Sequence, residues 1–100
     1  MHHFVVTYEF VDRFIERRAP YREAHLQLLR DANARGLLLL SGPVGDPPDG
    51  ALLIARAESA AVVEDFVRSD PYVIEGVVTS WRVRPWTIVI GAEPSAPKAL

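Results

Sequence analysis

Cysteine is absent from the 100 residues, which removes disulfides, thiolate metal sites and cysteine nucleophiles. Histidine is scarce: the chain has three, His2, His3 and His25, and no H-x-x-x-H spacing. Adjacent His2 and His3 point to opposite sides of a strand, so no metal site is expected. Neither sign of charge dominates. Eleven Lys+Arg against thirteen Asp+Glu leave a net charge of −2 and a pI near 5.9, without the concentrated basic patch of a nucleic-acid binder. No apolar run approaches the ~20 residues of a membrane span. The opening MHHFVVTYEF lacks an apolar run ending at a small-residue cleavage site, so a cytoplasmic protein is expected. Gly42, Gly45 and Gly50 precede no Lys-Ser/Thr and open no helix, which excludes a phosphate loop.

What is present is ordinary for a globular protein: 49% hydrophobic and 24% charged residues. One hundred residues make one domain that buries a little over ~60% of its extended surface. Pairing with a second subunit would therefore help. The folded domain is expected over residues 3–90, with 91–100 an aperiodic, loose tail.

Residues 3–9 alternate, with Phe4, Val6 and Tyr8 on one face, and read as a first strand. The charged segment VDRFIERRAP leads to Pro20, a favourable first-turn residue. From Tyr21 to Arg35 the period is helical, with Tyr21, Ala24, Leu28 and Ala32 in one stripe and His25 and Leu29 beside it. Gly36 ends that helix. LLLLSGP reads as a buried second strand, VGDPPDG as a hairpin loop and ALLIARA as a third strand. Ser59 is a candidate N-cap for a helix over Ala60 to Arg68, whose inner stripe is Val62, Val63, Phe66 and Val67. Asp70 and Pro71 match the start of a short turn to Glu75. Val77 to Ile90 is the longest strand pattern, interrupted by Pro85.

The order β-α-β-β-α-β predicts an α+β, ferredoxin-like split βαβ arrangement: a four-stranded antiparallel sheet with both helices on one face. Its other face is left bare. If that face is apolar, as the alternation of Phe4/Val6/Tyr8 or Trp81/Val83 permits, a second copy is its natural cover, which predicts a homodimer. Trp81 and Trp86 read as core and interface residues.

His25 lies next to the apolar stripe, at the helix–sheet boundary. It is either a core histidine bonded to a carbonyl or a proton carrier suited to general acid/base work. Asp70 is either a cap alone or also a partner for His25, since a capping carboxylate keeps a second oxygen. The two helices flank each other in this topology, so the pair can meet. Ser41 is a turn residue or a hydroxyl that orients a substrate oxygen; it lacks the G-x-S-x-G setting of a nucleophile. Arg13, Arg17, Arg18 and Arg22 form a solvated face or hold an anionic substrate. Of these, Arg17 and Arg22, within eight residues of His25 in sequence, are the candidates for that contact.

FVVTYEF, YREAHLQLL, GLLLLSGP, DGALLIARA and RSDPYVIEGVVTSWRVRPW, taken in order, resemble the YCII-related (YciI-like) family over residues 3–88. The resemblance implies a ferredoxin-like fold that dimerises into an α/β barrel. It also implies a His–Asp active pair falling on His25 and Asp70, with Ser41 at a variable position before Gly-Pro. The loop GPVGDPPDGAL is short beside those of relatives, which alters the pocket.

The function expected is a cofactor-independent lyase or isomerase acting on a small anionic or phenolic cyclic metabolite. His25 would shuttle the proton, Asp70 would orient it, and Ser41, Arg17 or Arg22 would anchor an oxygen. Two alternatives use the same pocket: a non-catalytic ligand-binding or assembly module, and a cofactor-free oxygenase. Because Asn caps about as well as Asp, Asp70→Asn is expected to keep stability within about 1 kcal/mol while activity falls.

Overall fold

A computed structural model describes residues 1–91; the expected tail falls outside the described residues from 92 onward. Strand β1 spans His2–Phe10 and is followed by a short helix α1, Phe14–Arg17, and a 3-10 turn, Ala19–Tyr21. Helix α2 (Arg22–Ala34), strands β2 (Leu38–Gly45) and β3 (Pro48–Ala57), helices α3 (Ala60–Arg68) and α4 (Pro71–Ile74), and strand β4 (Val78–Pro85) complete the order. The four strands form one antiparallel sheet in the order β2-β3-β1-β4. This is the ferredoxin-like α+β arrangement, with β1 reaching β2 by a crossover through α2.

The register sorts the two faces. One set of rows runs Ser41–Leu53–Val6–Val83 and Pro43–Ala51–Tyr8–Trp81. Of these, Leu53, Val6, Val83, Ala51, Tyr8 and Trp81, with Phe4 and Ala55, join Ala32, Val63, Phe66 and Val67 in or against the core, while Ser41 and Pro43 on the edge strand stay exposed. Burial of each large aliphatic side chain there contributes about 1.5–3 kcal/mol before entropy is counted. The alternate rows run Leu40–Ile54–Val5–Arg84 and Gly42–Leu52–Thr7–Arg82 on the bare face. That face is apolar through Leu40, Leu52, Val5 and Ile54. Phe4, Val6 and Tyr8, by contrast, are covered by helices, and Trp81 and Val83 pack against the same core.

Several boundaries differ from the sequence reading. The charged segment before Pro20 forms α1 and the 3-10 turn because Phe14 is buried and anchors it. In α2 Ala32 is buried and Tyr21, Leu28 and Leu29 pack against the core as the stripe predicts, but His25 is buried while Ala24 is exposed. In α3, Val62 is 44% exposed, so the inner stripe narrows to Val63, Phe66 and Val67. Ser59 occupies the N-cap position of α3 without a side-chain capping bond. The expected seven-residue hairpin loop tightens to Asp46 and Pro47, because β2 and β3 extend through the glycines and Pro48. Strand β4 stops at Pro85, which has no N–H to continue a ladder, although Trp86 N–H still donates to His3 O at 2.9 Å.

Two glycines are used as only glycine can be. Gly36 ends α2 at φ +81°. A Cβ on Gly50 would lie 2.3 Å from Tyr8 O, so this residue lets β3 close onto β1 beside Tyr8.

Candidate active site

Asp70 is placed by local rules. Proline at 71 drives the preceding residue out of the helical region, and Asp70 sits at φ −70°, ψ 123° as the N-cap of α4. Its Oδ1 accepts the Tyr72 N–H at 3.0 Å. Tertiary packing then adds two further donors. His25 Nδ1 lies 2.8 Å from the same Oδ1, and Tyr8 Oη donates to Oδ2 at 2.8 Å. Cap and histidine therefore share one oxygen, and the second oxygen belongs to Tyr8, where the sequence reading assigned it to His25. The Asp70 residue is 0% exposed and His25 is 9% exposed.

With two donors already fixed on it, the carboxylate acts as acceptor toward His25 as well, which puts the imidazole hydrogen on Nδ1. Nε2 is then the basic nitrogen. The imidazole lies flat on the Tyr72 ring, with centroids 3.6 Å apart and planes at 4°. Phe14 meets Tyr72 edge-on at 6.0 Å and stacks on Phe10 at 3.7 Å, and Arg18 lies over Phe14 at 4.9 Å. Aromatic packing thus fixes the ring plane and Asp70 fixes its rotation.

Burial, then the charge and hydrogen bond of Asp70, push the Tyr8 phenol far above its ordinary range. Burial also raises the Tyr72 phenol, against the opposing pull of the Arg18 and Arg22 guanidiniums. Both phenols stay neutral near physiological pH, so Tyr8 serves Asp70 as a donor.

His25 and Tyr72 open onto a cavity of about 520 Å³ between α2 and the β2–β3 end of the sheet. Small residues make the room: Ser41 and Ala51, whose rows face the helices, lie where larger side chains would fill it. The wall is mainly aromatic and aliphatic, with Arg18, Arg22 and Arg30 as its cations. Such a volume suits a single small molecule. Among the described residues no group of three or more His, Cys, Asp or Glu is arranged to hold a metal. No helix among them is long and apolar enough to cross a membrane.

Of the residues singled out in the sequence, His25 and Asp70 are in direct contact, and Ser41 and Arg22 line the same cavity. Arg17 ends α1 and does not line it; its neighbour Arg18 does. Of the residues at the site, Tyr8 and Tyr72 carry no functional signal in the sequence, and Arg18 stands there only as one of four clustered arginines. Tyr8 sits where strand alternation demands a core residue, and its hydroxyl is invisible to that pattern. Tyr72 follows the Asp-Pro pair directly, and a turn reading gives its ring no direction. Trp81 is half-buried with Arg68 at 5.5 Å over its ring, and Trp86 is 45% exposed.

A ferredoxin-like sheet with a buried, hydrogen-bonded histidine at a ligand-sized apolar cavity defines a small α+β protein with a candidate small-molecule site. The chain belongs to the YCII-related family: the model of the YCII-related domain matches residues 1–87. An uncharacterized protein of Haemophilus influenzae is 29% identical over 93 residues, covering 84% of this chain and 95% of the relative. Protein YciI of Escherichia coli is 33% identical over 81 residues, covering 72% and 83% respectively. Among solved structures, 5-chloro-2-hydroxyhydroquinone dehydrochlorinase (TftG) from Burkholderia phenoliruptrix, in complex with 2,5-dihydroxybenzoquinone, matches with a TM-score of 0.71. It is 26% identical and the match covers 84% of this chain and 92% of that one. A monooxygenase-type structure from Deinococcus radiodurans (TM-score 0.53, 12% identity, 96% and 100% covered) shares the fold.

Proposed function

We propose that the protein is a cofactor-independent acid/base enzyme, of lyase or isomerase type, acting on a small hydroxylated ring. The observation that carries this reading is the 2.8 Å bond from His25 Nδ1 to Asp70 at the wall of an apolar cavity. It presents Nε2 as a base with its tautomer set. Likeness to a dehydrochlorinase captured with a dihydroxybenzoquinone supports the substrate class.

The chemistry needs no oxidant. Nε2 takes a proton from a ring hydroxyl and returns it to a ring carbon, which becomes tetrahedral as the oxygen becomes a carbonyl. That is an isomerisation. If this carbon bears a leaving group, the group departs as an anion while a second hydroxyl loses its proton. The net loss is one molecule of acid, and the ring becomes a quinone. Asp70 holds the imidazole and supports its protonated form, Arg22 and Arg18 face the developing oxyanion, and Ser41 positions a ring oxygen. Acid/base assistance of this kind contributes ~10²–10⁴-fold.

The test is proton exchange. Hydroxylated rings, 5-chloro-2-hydroxyhydroquinone among them, are incubated in deuterated buffer while ring C–H exchange, halide release and oxygen consumption are followed. Wild type should exchange or eliminate without consuming oxygen, and His25→Gln should lose ~10²-fold or more. Ring binding with neither exchange nor elimination would make the site a binding module; oxygen consumption would make it an oxygenase.

The bare sheet face supports a homodimer. Leu40 is 70% exposed, Val44 50% and Leu52 41%, around the nearly buried Ile54. A contiguous apolar patch on a four-stranded sheet is suited to the same patch on a second copy. A small ring molecule and a second subunit are the partners of this reading.

A further inference from the structure

We propose that Tyr8 is a positioning residue: by gripping Asp70 Oδ2 it fixes the carboxylate's rotation, and so the His25 tautomer that leaves Nε2 basic. This rests on the acid/base reading only for its consequence in turnover. The positioning itself stands on geometry.

Three donors converge on a carboxylate that no solvent reaches. Tyr72 N–H and His25 Nδ1–H are on Oδ1 at 3.0 and 2.8 Å, and Tyr8 O–H is on Oδ2 at 2.8 Å. A buried acceptor without a donor is costly. Remove the Tyr8 hydroxyl, and two donors remain for two oxygens. The carboxylate then gains by rotating until each oxygen has one. Rotation cannot keep both the helix cap and the His25 bond as they are, because the two share Oδ1. Tyr8 removes that incentive, and its neutral phenol can serve only by its hydrogen.

The position of Tyr8 also suits rigid delivery. It lies on an interior strand, paired with Ala51 on one side and Trp81 on the other, and is 3% exposed. Gly50 lets the neighbouring strand close on its carbonyl. Arg18 at the end of α1 and Arg22 at the start of α2 face the His25–Tyr72 stack, Tyr21 lies on the 3-10 turn between them, and β2 and β3 contribute Ser41 and apolar side chains. None of these is a hydrogen-bond partner of Asp70 Oδ2; Tyr8 is.

The experiment is nitrogen NMR of the His25 imidazole at mildly alkaline pH, where a neutral ring reports its tautomer directly. Wild type should show hydrogen on Nδ1 and a pyridine-type Nε2. Tyr8→Phe, and 4-fluorophenylalanine at position 8, which fills the hydroxyl's volume without donating, should give averaged nitrogens. Replacement with 4-aminophenylalanine, which restores a donor, should recover the wild-type pattern. Val6→Ala, which loosens the same face of β1, should leave it unchanged. On a ring substrate, the donor-less variants should lose ~10-fold or more in kcat with KM little changed. Wild type with hydrogen mainly on Nε2, or a folded donor-less variant with the wild-type pattern, would overturn the proposal. A tautomer shift in a protein that turns over no ring substrate would support the positioning and reject the enzyme reading.

Discussion

Asp70 separates by substitution into a cap, a charge and a hub of hydrogen bonds, and stability measures the hub. In Asp70→Ala, three donors lose their acceptor at a site that is 0% exposed. Each stranded donor costs about 1–3 kcal/mol, less where water can enter from the cavity. Together with the void this puts the loss near the ~3–5 kcal/mol expected for breaking a buried pair. In Asp70→Asn, the amide oxygen can keep both the Tyr72 N–H and the His25 Nδ1–H. The amide nitrogen replaces Oδ2 and donates to the Tyr8 hydroxyl, which turns from donor to acceptor. What is lost is the charge that strengthened the bonds, about 1–2 kcal/mol in total. That exceeds the cost of a cap alone, because the cap is also buried. Urea unfolding of wild type and both variants, at unchanged m-value, should place Asp70→Ala about 2–3 kcal/mol below Asp70→Asn. Turnover on a ring substrate should fall ~10²-fold or more in both. Equal destabilisation by the two variants would refute the hub. Full turnover in Asp70→Asn would reduce Asp70 to a structural group.

Three further outcomes follow from the same geometry. Above pH ~10 the unfolded chain loses the Tyr8 proton that the native state retains, so stability is full below that pH and falls above it by about 1.4 kcal/mol per unit; alkaline denaturant titrations should show a flatter fall in Tyr8→Phe. Gly50→Ala drives a Cβ to 2.3 Å from Tyr8 O and should cost about 3 kcal/mol in thermal or urea unfolding, whereas Gly42→Ala, with open space around the new Cβ, should change stability by less than about 0.5 kcal/mol. Leu52→Asp on the bare face should yield a folded monomer in sedimentation velocity where wild type sediments as a dimer, and a monomeric wild type would reject the second copy as the cover of that face.

Much of this was legible in the sequence because the rules involved are local. The alternation in FVVTYEF, the helical period to Arg35, the glycine at 36 and the Asp-Pro start of α4 depend on neighbours within a turn or two, and they stand where expected. Candidate pairing of His25 with Asp70 followed from topology, which brings the start of one helix beside the end of the other. What stayed hidden depends on angle and on contacts far apart in the chain. Within a helical stripe that otherwise holds, His25 rather than Ala24 is buried, and in the segment before α2 Arg18 rather than Arg17 lines the cavity. The Tyr8–Asp70 bond joins residues 62 apart, and periodicity marks Tyr8 only as apolar core. The sequence also permitted the strand's aromatic face to be the bare one; only the register shows that helices cover it and that Leu40, Val44 and Leu52 are left outside.

Core and site are the same volume in this protein, which constrains how it can vary. Tyr8 and Tyr72 belong to the hydrophobic cluster by burial, yet their donors hold the one carboxylate buried beside it. A domain of 100 residues has little core to spare, and a polar cluster at its centre contributes less than apolar packing of equal volume would. On the acid/base reading, proton transfer rather than stability is what this cluster supplies. The same economy accounts for the cavity: where larger side chains on β2 and β3 would have packed against α2, Ser41 and Ala51 leave space beside the imidazole. A fold selected for stability alone would fill that space and replace the polar trio together, whereas replacing any one of the three alone leaves the other two without their partner. On these energetics, replacing the hydrogen-bonded unit of Tyr8, Asp70 and His25 together with apolar side chains costs less than removing any one member alone.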